Sequence, residues 1–316
     1  MKKILFVIDK VELKYFEFND LVTNFWLIRE FLNEGCEVEI TTITGLYLSG
    51  RTACAKTYEC YTDNGNIFYK NILYDREINS FDLVMFRPDP PVDIDYINAT
   101  YVFDFADTNI INSPKAIRDF NEKLHSLCFS EYMTDSLVTS SMEDIEKFLS
   151  IHKQIVLKPL NKCFGSGVMY LYEGDPNTHT IINTITNNET TLAMVQEFIP
   201  EVKHGDVRVL TLGDKILPYA VKKLPGKDDF KFNTHSDKFV VKAELSKSML
   251  EYFKPIAEKL NSAGIKMAGL DVIDQKIIEV NVTSPCYFIK EINAAYNVHL
   301  EKELSEYILT ENLLSL

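Results

Sequence analysis

The stretch Gly269 to Pro285, GLDVIDQKIIEVNVTSP, leaves the chain little freedom in how it can fold there. Runs rich in Val and Ile over 267–273 and 277–282 flank the turn-like Asp274-Gln275, which predicts two short paired strands. Side chains alternate across a strand, so parity decides which residues share a face. The even positions Leu270, Val272, Ile278, Val280 and Val282 are all apolar, while the odd ones include Asp271, Glu279 and Asn281. With Asp271 opposite Glu279, the connection is the three-residue loop 274–276 and these three oxygen-bearing side chains converge. A two-residue turn would slip the register and send Asp271 to the other face. Two carboxylates and an amide side by side repel one another unless a cation sits among them. Hard oxygen ligands suit Mg²⁺ or Mn²⁺, with phosphate oxygens and water completing the shell. The same alternation also suits the solvated face of an ordinary half-buried hairpin, so the rest of the chain must decide.

A chain of 316 residues buries a large core and is expected to divide into lobes. Its net charge of -13 argues against nucleic acid or an anionic membrane as the main partner, since both require clustered basic residues. A small anionic ligand needs only a few local Lys and Arg. The opening MKKILFVID resembles a signal peptide, but its apolar run stops at Asp9, which suits a first β-strand better. No run reaches the length of a membrane span. The six cysteines are scattered without a Cys-x-x-Cys pair, so neither a zinc site nor a disulfide scaffold is indicated and a cytoplasmic protein is expected. A dimer or tetramer is the expectation that soluble enzymes in general supply.

Strand-like segments at Lys3 to Ile8, Val38 to Ile43 and Phe81 to Phe86, with helical spacing over Leu21 to Leu32, predict a parallel sheet carrying helices on its faces. The turn after the first strand, Asp9-Lys10-Val11-Glu12, lacks the glycines that dinucleotide binding requires. Arg87 follows its strand directly and precedes Pro88-Asp89-Pro90-Pro91, the carboxyl-end position where open α/β sheets bind ligands. Pairing with a nearby loop carboxylate is the alternative reading of Arg87. A helix near 95–107 and a strand through Ile111 come next. Ser113-Pro114 then opens a helix expected to contain Asn121-Glu122-Lys123-Leu124.

Beyond that point Ser140 and Glu143 form a capping-box signature for a helix over 142–151. Strands are predicted at Gln154 to Pro159, Val168 to Tyr172 and Leu192 to Ile199, with a helix near 178–188. Lys158 lies inside an otherwise apolar strand, where an unpaired ammonium would be costly, so it needs a fixed anionic partner: a phosphate or an internal carboxylate. The strands Asp206 to Leu210 and Ile216 to Val221 turn at Gly213-Asp214. The polar stretch 226–238 reads as a loop, and helices are expected over 246–262 and 299–313.

The succession Arg87-Pro-Asp-Pro-Pro, Ile111-Asn-Ser-Pro, Asn121-Glu-Lys-Leu, Leu157-Lys-Pro-Leu, Gly205-Asp-x-Arg208 and Gly269-Leu-Asp…Glu279-Val-Asn-Val-Thr-Ser-Pro resembles prokaryotic glutathione synthetase, an ATP-grasp ligase. The match is collinear and covers nearly the whole chain. It implies an ATP-grasp fold, mixed α/β and α+β, with a Rossmann-like N-terminal domain of parallel sheet over 1–122. A central lid lobe over 123–200 and a C-terminal lobe with the metal site over 201–316 would follow. It also implies an ATP-dependent ligase joining γ-glutamylcysteine to glycine, with ATP as co-substrate and two Mg²⁺ (or Mn²⁺) ions. By carry-over, Lys123 and Lys158 contact the ATP phosphates and Gln196, Glu197, Phe198 and Ile199 line the adenine pocket, with Asp206 also on the nucleotide side. Asp271, Glu279 and Asn281 hold the metal ions. Arg208 steadies the acyl-phosphate region, with Lys158 beside it as a catalytic cation. Arg87, Arg208, Lys231, Asn233 and Ser284 lie at the peptide substrate.

Such chemistry needs no protein nucleophile, which fits the absence of any Ser-His-Asp or Cys-His arrangement and of ligand spacing among the six histidines. The chain departs from the family's pattern in its loops. Asn161 to Gly167 carries bulky Lys162 and Phe164 where small residues let backbone amides approach phosphate. In the 226–238 loop, Lys231 stands where an Arg is usual, keeping the charge but losing the bidentate grip. Cys286 to Phe288 carries an extra residue. These departures leave two alternatives: a related ATP-grasp ligase with another substrate pair, and a nucleotide-binding protein without ligase activity.

Overall fold

In the computed structural model, residues 1–14, 16, 20–163, 165–226 and 240–313 are described. The chain begins with β1 (Lys3–Ile8), α1 (Lys10–Lys14), α2 (Thr23–Asn33) and β2 (Glu37–Thr42). Four antiparallel strands follow: β3 (Leu46–Ser49), β4 (Thr52–Asp63), β5 (Asn66–Tyr69) and β6 (Tyr74–Glu77). Then come β7 (Leu83–Phe86), α3 (Ile94–Val102), β8 (Asn109–Ile111) and α4 (Pro114–Asp119). The parallel core runs β2-β1-β7-β8, and β4 extends it antiparallel beside β2. β1 and β7 are apolar along nearly their whole length because the sheet is covered on both faces. The connections from β1 and β7 lead outward in opposite directions, to β2 and to β8. A crevice therefore opens over the carboxyl ends of β1 and β7.

A four-stranded antiparallel sheet, β11-β10-β12-β9, comes next, built from β9 (Ser136–Thr139), β10 (Gln154–Pro159), β11 (Met169–Tyr172) and β12 (Ala193–Glu197). α5 (Met142–His152) and α6 (Thr178–Ile185) bury Ile145, Leu149 and Ile182 against one of its faces. The last sheet, β15-β14-β13-β16-β17, consists of β13 (Asp206–Leu212), β14 (Lys215–Lys223), β15 (Val240–Ala243), β16 (Met267–Ile273) and β17 (Lys276–Asn281). The amphipathic α7 (Lys247–Ser262) packs Phe253, Ile256 and Leu260 under it. α8 (Ile289–Tyr296) packs on β14 and β15, and α9 (Leu300–Leu313) returns to the first domain, where it lies against α2.

Asn112 staples the first sheet to the closing hairpin. Its side chain is buried, donates to Met267 O (2.6 Å) and Val282 O (2.9 Å), and accepts from the Lys266 and Met267 amides. Glu122 does the same from the interdomain segment, accepting from the Val282 amide (2.7 Å) and from Thr283.

The closing hairpin corrects the expected turn. Asp271 does pair with Glu279, yet the turn is the two-residue Asp274-Gln275, both in left-handed backbone conformation, as in a type I′ turn. The register is rescued by a bulge between the pairs Asp271–Glu279 and Val272–Ile277, which leaves Ile278 as the extra residue. Ile277, not Ile278, therefore joins the core, and Ile278 turns toward the cleft. Two local signals also shift. The cap of α5 is Ser141, accepting from the Asp144 amide, rather than Ser140. α4 ends at Asp119, so Asn121 to Leu124 lie outside it, where Asn121 Oδ1 accepts from the Lys123 and Leu124 amides.

Candidate active site

The three sheets face one cleft of about 530 Å³. Every site residue expected from the sequence and described here lies on its wall: Arg87, Lys123, Lys158, Gln196, Glu197, Phe198, Ile199, Asp206, Arg208, Asp271, Glu279, Asn281 and Ser284. Lys231 and Asn233 fall outside the described residues, as does Phe164.

The C-terminal sheet supplies the densest charge. Register places Arg208 opposite Asp271, Lys223 opposite Asp206, and Asp271 opposite Glu279. One sheet face thus carries alternating acids and bases. Asp271 Oδ1 accepts from Arg208 Nε (2.8 Å) and Lys223 Nζ (2.8 Å), and Oδ2 accepts from Arg208 Nη2 (3.1 Å) and Asn281 Nδ2 (3.1 Å). Burial pushes the Asp271 carboxyl up, but Arg208 and Lys223 pull harder and hold it well below the usual carboxylate range. Gly205, at φ +89°, precedes this face, and a Cβ there would lie 2.4 Å from Lys223 O. Arg208 also donates from Nη1 to Cys286 O (3.2 Å), reaching the loop after the hairpin.

Two lysines approach from the other side. Lys123 Nζ lies 3.0 Å from Glu279 Oε1 and donates to Lys162 O (2.6 Å), tying the 161–167 loop to the hairpin. Lys158 donates to Gln196 Oε1 and to the bulge carbonyl Ile278 O (3.1 Å). Burial lowers Lys158 to about 8, against the upward pull of Glu279. Its direct hydrogen-bond partners are neutral oxygens, so an anionic ligand would be its first charged hydrogen-bond partner. Val156, Gln196 to Ile199 and Ile273 form a part-apolar wall behind them, where Phe198 meets Tyr170 edge to face at 4.7 Å.

Asp271, Glu279 and Asn281 present hard oxygen donors on one face, and the positions beside both carboxylates are taken by Arg208, Lys223 and Lys123 nitrogens. The hard oxygens are of the type a divalent ion takes, and with Lys123, Lys223 and Arg208 nitrogens already on them such an ion would replace protein cations as their counter-charge.

Sequence reasoning did not single out Lys223, Glu12, Asn24 or Asp89 as site residues, although all four line the cleft. Lys223 was legible in principle, because it shares its strand's parity with Val221, across from Arg208. Glu12 lies in the short α1, which has too few residues for a periodic signal.

An antiparallel lid sheet, a C-terminal sheet with an acid-base face, and a cleft between them define an ATP-grasp protein, and solved structures share this fold. A D-cycloserine synthetase superposes with a TM-score of 0.70 at 12% identity, covering 98% of this chain and 99% of its own. A D-alanyl-alanine synthetase A from Vibrio cholerae gives 0.64 at 12% identity, covering 99% of each chain. Family models place the chain more narrowly. That of the prokaryotic glutathione synthetase N-terminal domain matches residues 2–118, and that of the prokaryotic glutathione synthetase ATP-grasp domain matches 122–297. Glutathione synthetases from Vibrio vulnificus and Neisseria meningitidis are 33% and 34% identical over 291 and 297 residues, covering 90% and 91% of this chain and 91% and 92% of their own. The chain belongs to the prokaryotic glutathione synthetase family.

Proposed function

We propose that the protein joins γ-glutamylcysteine to glycine at the expense of ATP, yielding glutathione, ADP and phosphate. The observation that carries this reading is the convergence of Lys123, Lys158 and Arg208 with Asp271, Glu279 and Asn281 in one cleft. A carboxylate is a poor acyl donor, so the cysteinyl carboxylate oxygen attacks the γ-phosphorus of ATP and ADP departs. The glycine nitrogen then attacks the acyl phosphate, phosphate leaves, and the nitrogen releases a proton. Lys123 and Lys158 hold the phosphates in line, and Arg208 neutralises charge on the transferring group. The wall from Gln196 to Ile199 holds the adenine, with Asp206 beyond it fixing Lys223. Arg87, Ser284, Lys231 and Asn233 serve the peptide end.

Mg²⁺ would be held by Asp271, Glu279 and Asn281 and would supply neutralisation of phosphate charge. The division into lobes at 122/123 and 200/201 is supported by three separate sheets. Six free cysteines suit a reducing, cytoplasmic setting. Among the described residues no helix is long and apolar enough to cross a membrane. The test is ADP formation with ATP, Mg²⁺, γ-glutamylcysteine and glycine, each omitted in turn. The reading expects ADP only when all four are present, with glutathione as the product. Robust ADP release with another pair and none with this one would refute it.

A further inference from the structure

The wall of the cleft formed by the first sheet carries charge that phosphoryl transfer leaves unused. Glu12, just past the carboxyl end of β1, is 7% exposed. Its Oε2 accepts from Asn24 Nδ2 (2.9 Å), while Oε1 has no hydrogen-bond partner among the described residues. Asn24 Oδ1 accepts from Arg87 Nε (2.6 Å), and Arg87 Nη2 donates to Pro285 O (2.9 Å). Arg87 Nη1 has no hydrogen-bond partner among the described residues. Asp89, two residues further on, lies close enough to Ser284 for that side chain to lower its pKa against the upward push of burial. All of these line the cleft at the crevice between β1 and β7.

A carboxylate oxygen buried without a donor is costly. Burial and the nearby Asp89 push Glu12 up to about 8. Burial and Asp9 likewise push Asp89 up to about 6. A ligand cation would let Glu12 ionise beside Asp89. A guanidinium nitrogen waits beside them for an anion. Acceptors and a donor so arranged match an ammonium and a carboxylate on neighbouring atoms.

We infer that this pocket binds the α-amino-acid pole of the acyl donor, with Glu12 and Asp89 receiving its ammonium and Arg87 its α-carboxylate. The inference rests on the proposed reaction, whose γ-glutamyl donor carries such a pole at the end away from the reacting carboxyl. Arg87 and Arg208 donate to the successive carbonyls Pro285 O and Cys286 O, so the pocket and the acyl-phosphate region lie on one stretch of chain.

The experiment is calorimetric titration of the full chain, loaded with Mg²⁺ and a non-hydrolysable ATP analogue. The ligands are γ-glutamylcysteine and glutarylcysteine, which differ only in the α-amino group. The wild type should prefer the amine by about 10–100-fold. Glu12→Gln should bring that preference within about threefold while leaving glutarylcysteine affinity unchanged. Asp89→Asn provides the same cycle should Glu12→Gln fold poorly. Equal affinity of the wild type for both ligands, or an equal loss for both in the variant, overturns the pocket assignment. Amine-dependent binding without ADP release on adding ATP and glycine supports the pocket and refutes the reaction. ADP release without amine dependence does the reverse, and absence of any binding refutes both.

Discussion

Replacing Asp271 by asparagine isolates the electrostatic knot of the C-terminal sheet. The aspartate accepts from four donors, two at each oxygen: Arg208 Nε and Lys223 Nζ at one, Arg208 Nη2 and Asn281 Nδ2 at the other. Asparagine offers a single oxygen. Whichever way the amide turns, its NH₂ faces two donors, and the Arg208 and Lys223 charges lose their common counter-charge in a buried setting. Removing one partner of a buried ion pair costs about 3–5 kcal/mol. At ~2.1 cal/mol/K per residue, 316 residues give an unfolding entropy near 0.7 kcal/mol/K, so the midpoint should fall by about 4–8 °C. Circular dichroism melts without nucleotide or metal measure this. The Asp271 carboxyl is held below its ordinary value of 3.8, so its stabilisation is present above that pH and lost as pH falls through the folded value. The deficit should therefore stay constant between about pH 5 and 8. A shift below about 1 °C, or a deficit undiminished in a Lys223→Met background, would refute the reasoning.

Glu12 has the opposite sign. Its folded value, about 8, lies above the ordinary 4.5, so its ionisation costs stability progressively as pH rises from 4.5 to 8. Glu12→Gln should therefore melt higher than wild type at pH 8.5, by an amount on the order of a few kcal/mol, and nearly alike at pH 4.5. Lys158→Met should lower kcat/KM for ADP release about 10²–10³-fold with an unchanged circular dichroism spectrum, as measured by coupled steady-state assay. Gly205→Ala combines a left-handed backbone with a Cβ 2.4 Å from Lys223 O, and should destabilise by about 2–4 kcal/mol in urea unfolding. A neutral result there would mean the loop before β13 can move without disturbing Lys223.

Much of this protein follows from local pattern alone. The apolar runs of β1 and β7 dictate a doubly covered parallel sheet, because such strands have no face fit for water. Alternation in the closing hairpin places Asp271, Glu279 and Asn281 on one face through parity. That placement survived even though the turn is one residue shorter than expected, since the bulge at Ile278 restored the register. The bulge itself was not legible: it exchanges Ile278 for Ile277 in the core and supplies the carbonyl that Lys158 grips, and no residue in the stretch announces it.

Only the tertiary structure decided which charges meet. Lys158 stood out as an ammonium in an apolar strand, but its partners, Gln196 and Ile278, come from two different sheets. Arg87 was expected to face ligand or pair with a loop carboxylate. It lies on the cleft wall, fixed there by Asn24 and Pro285, separated from it by 63 and 198 residues. Lys223, two residues past the predicted end of its strand, is set by the sheet against Asp206 and Asp271. The physical reason is common to all three. Parity and apolar periodicity are set within a few residues by backbone geometry, whereas the partner of a buried charge is whatever the packing of distant sheets brings within about 3 Å of it.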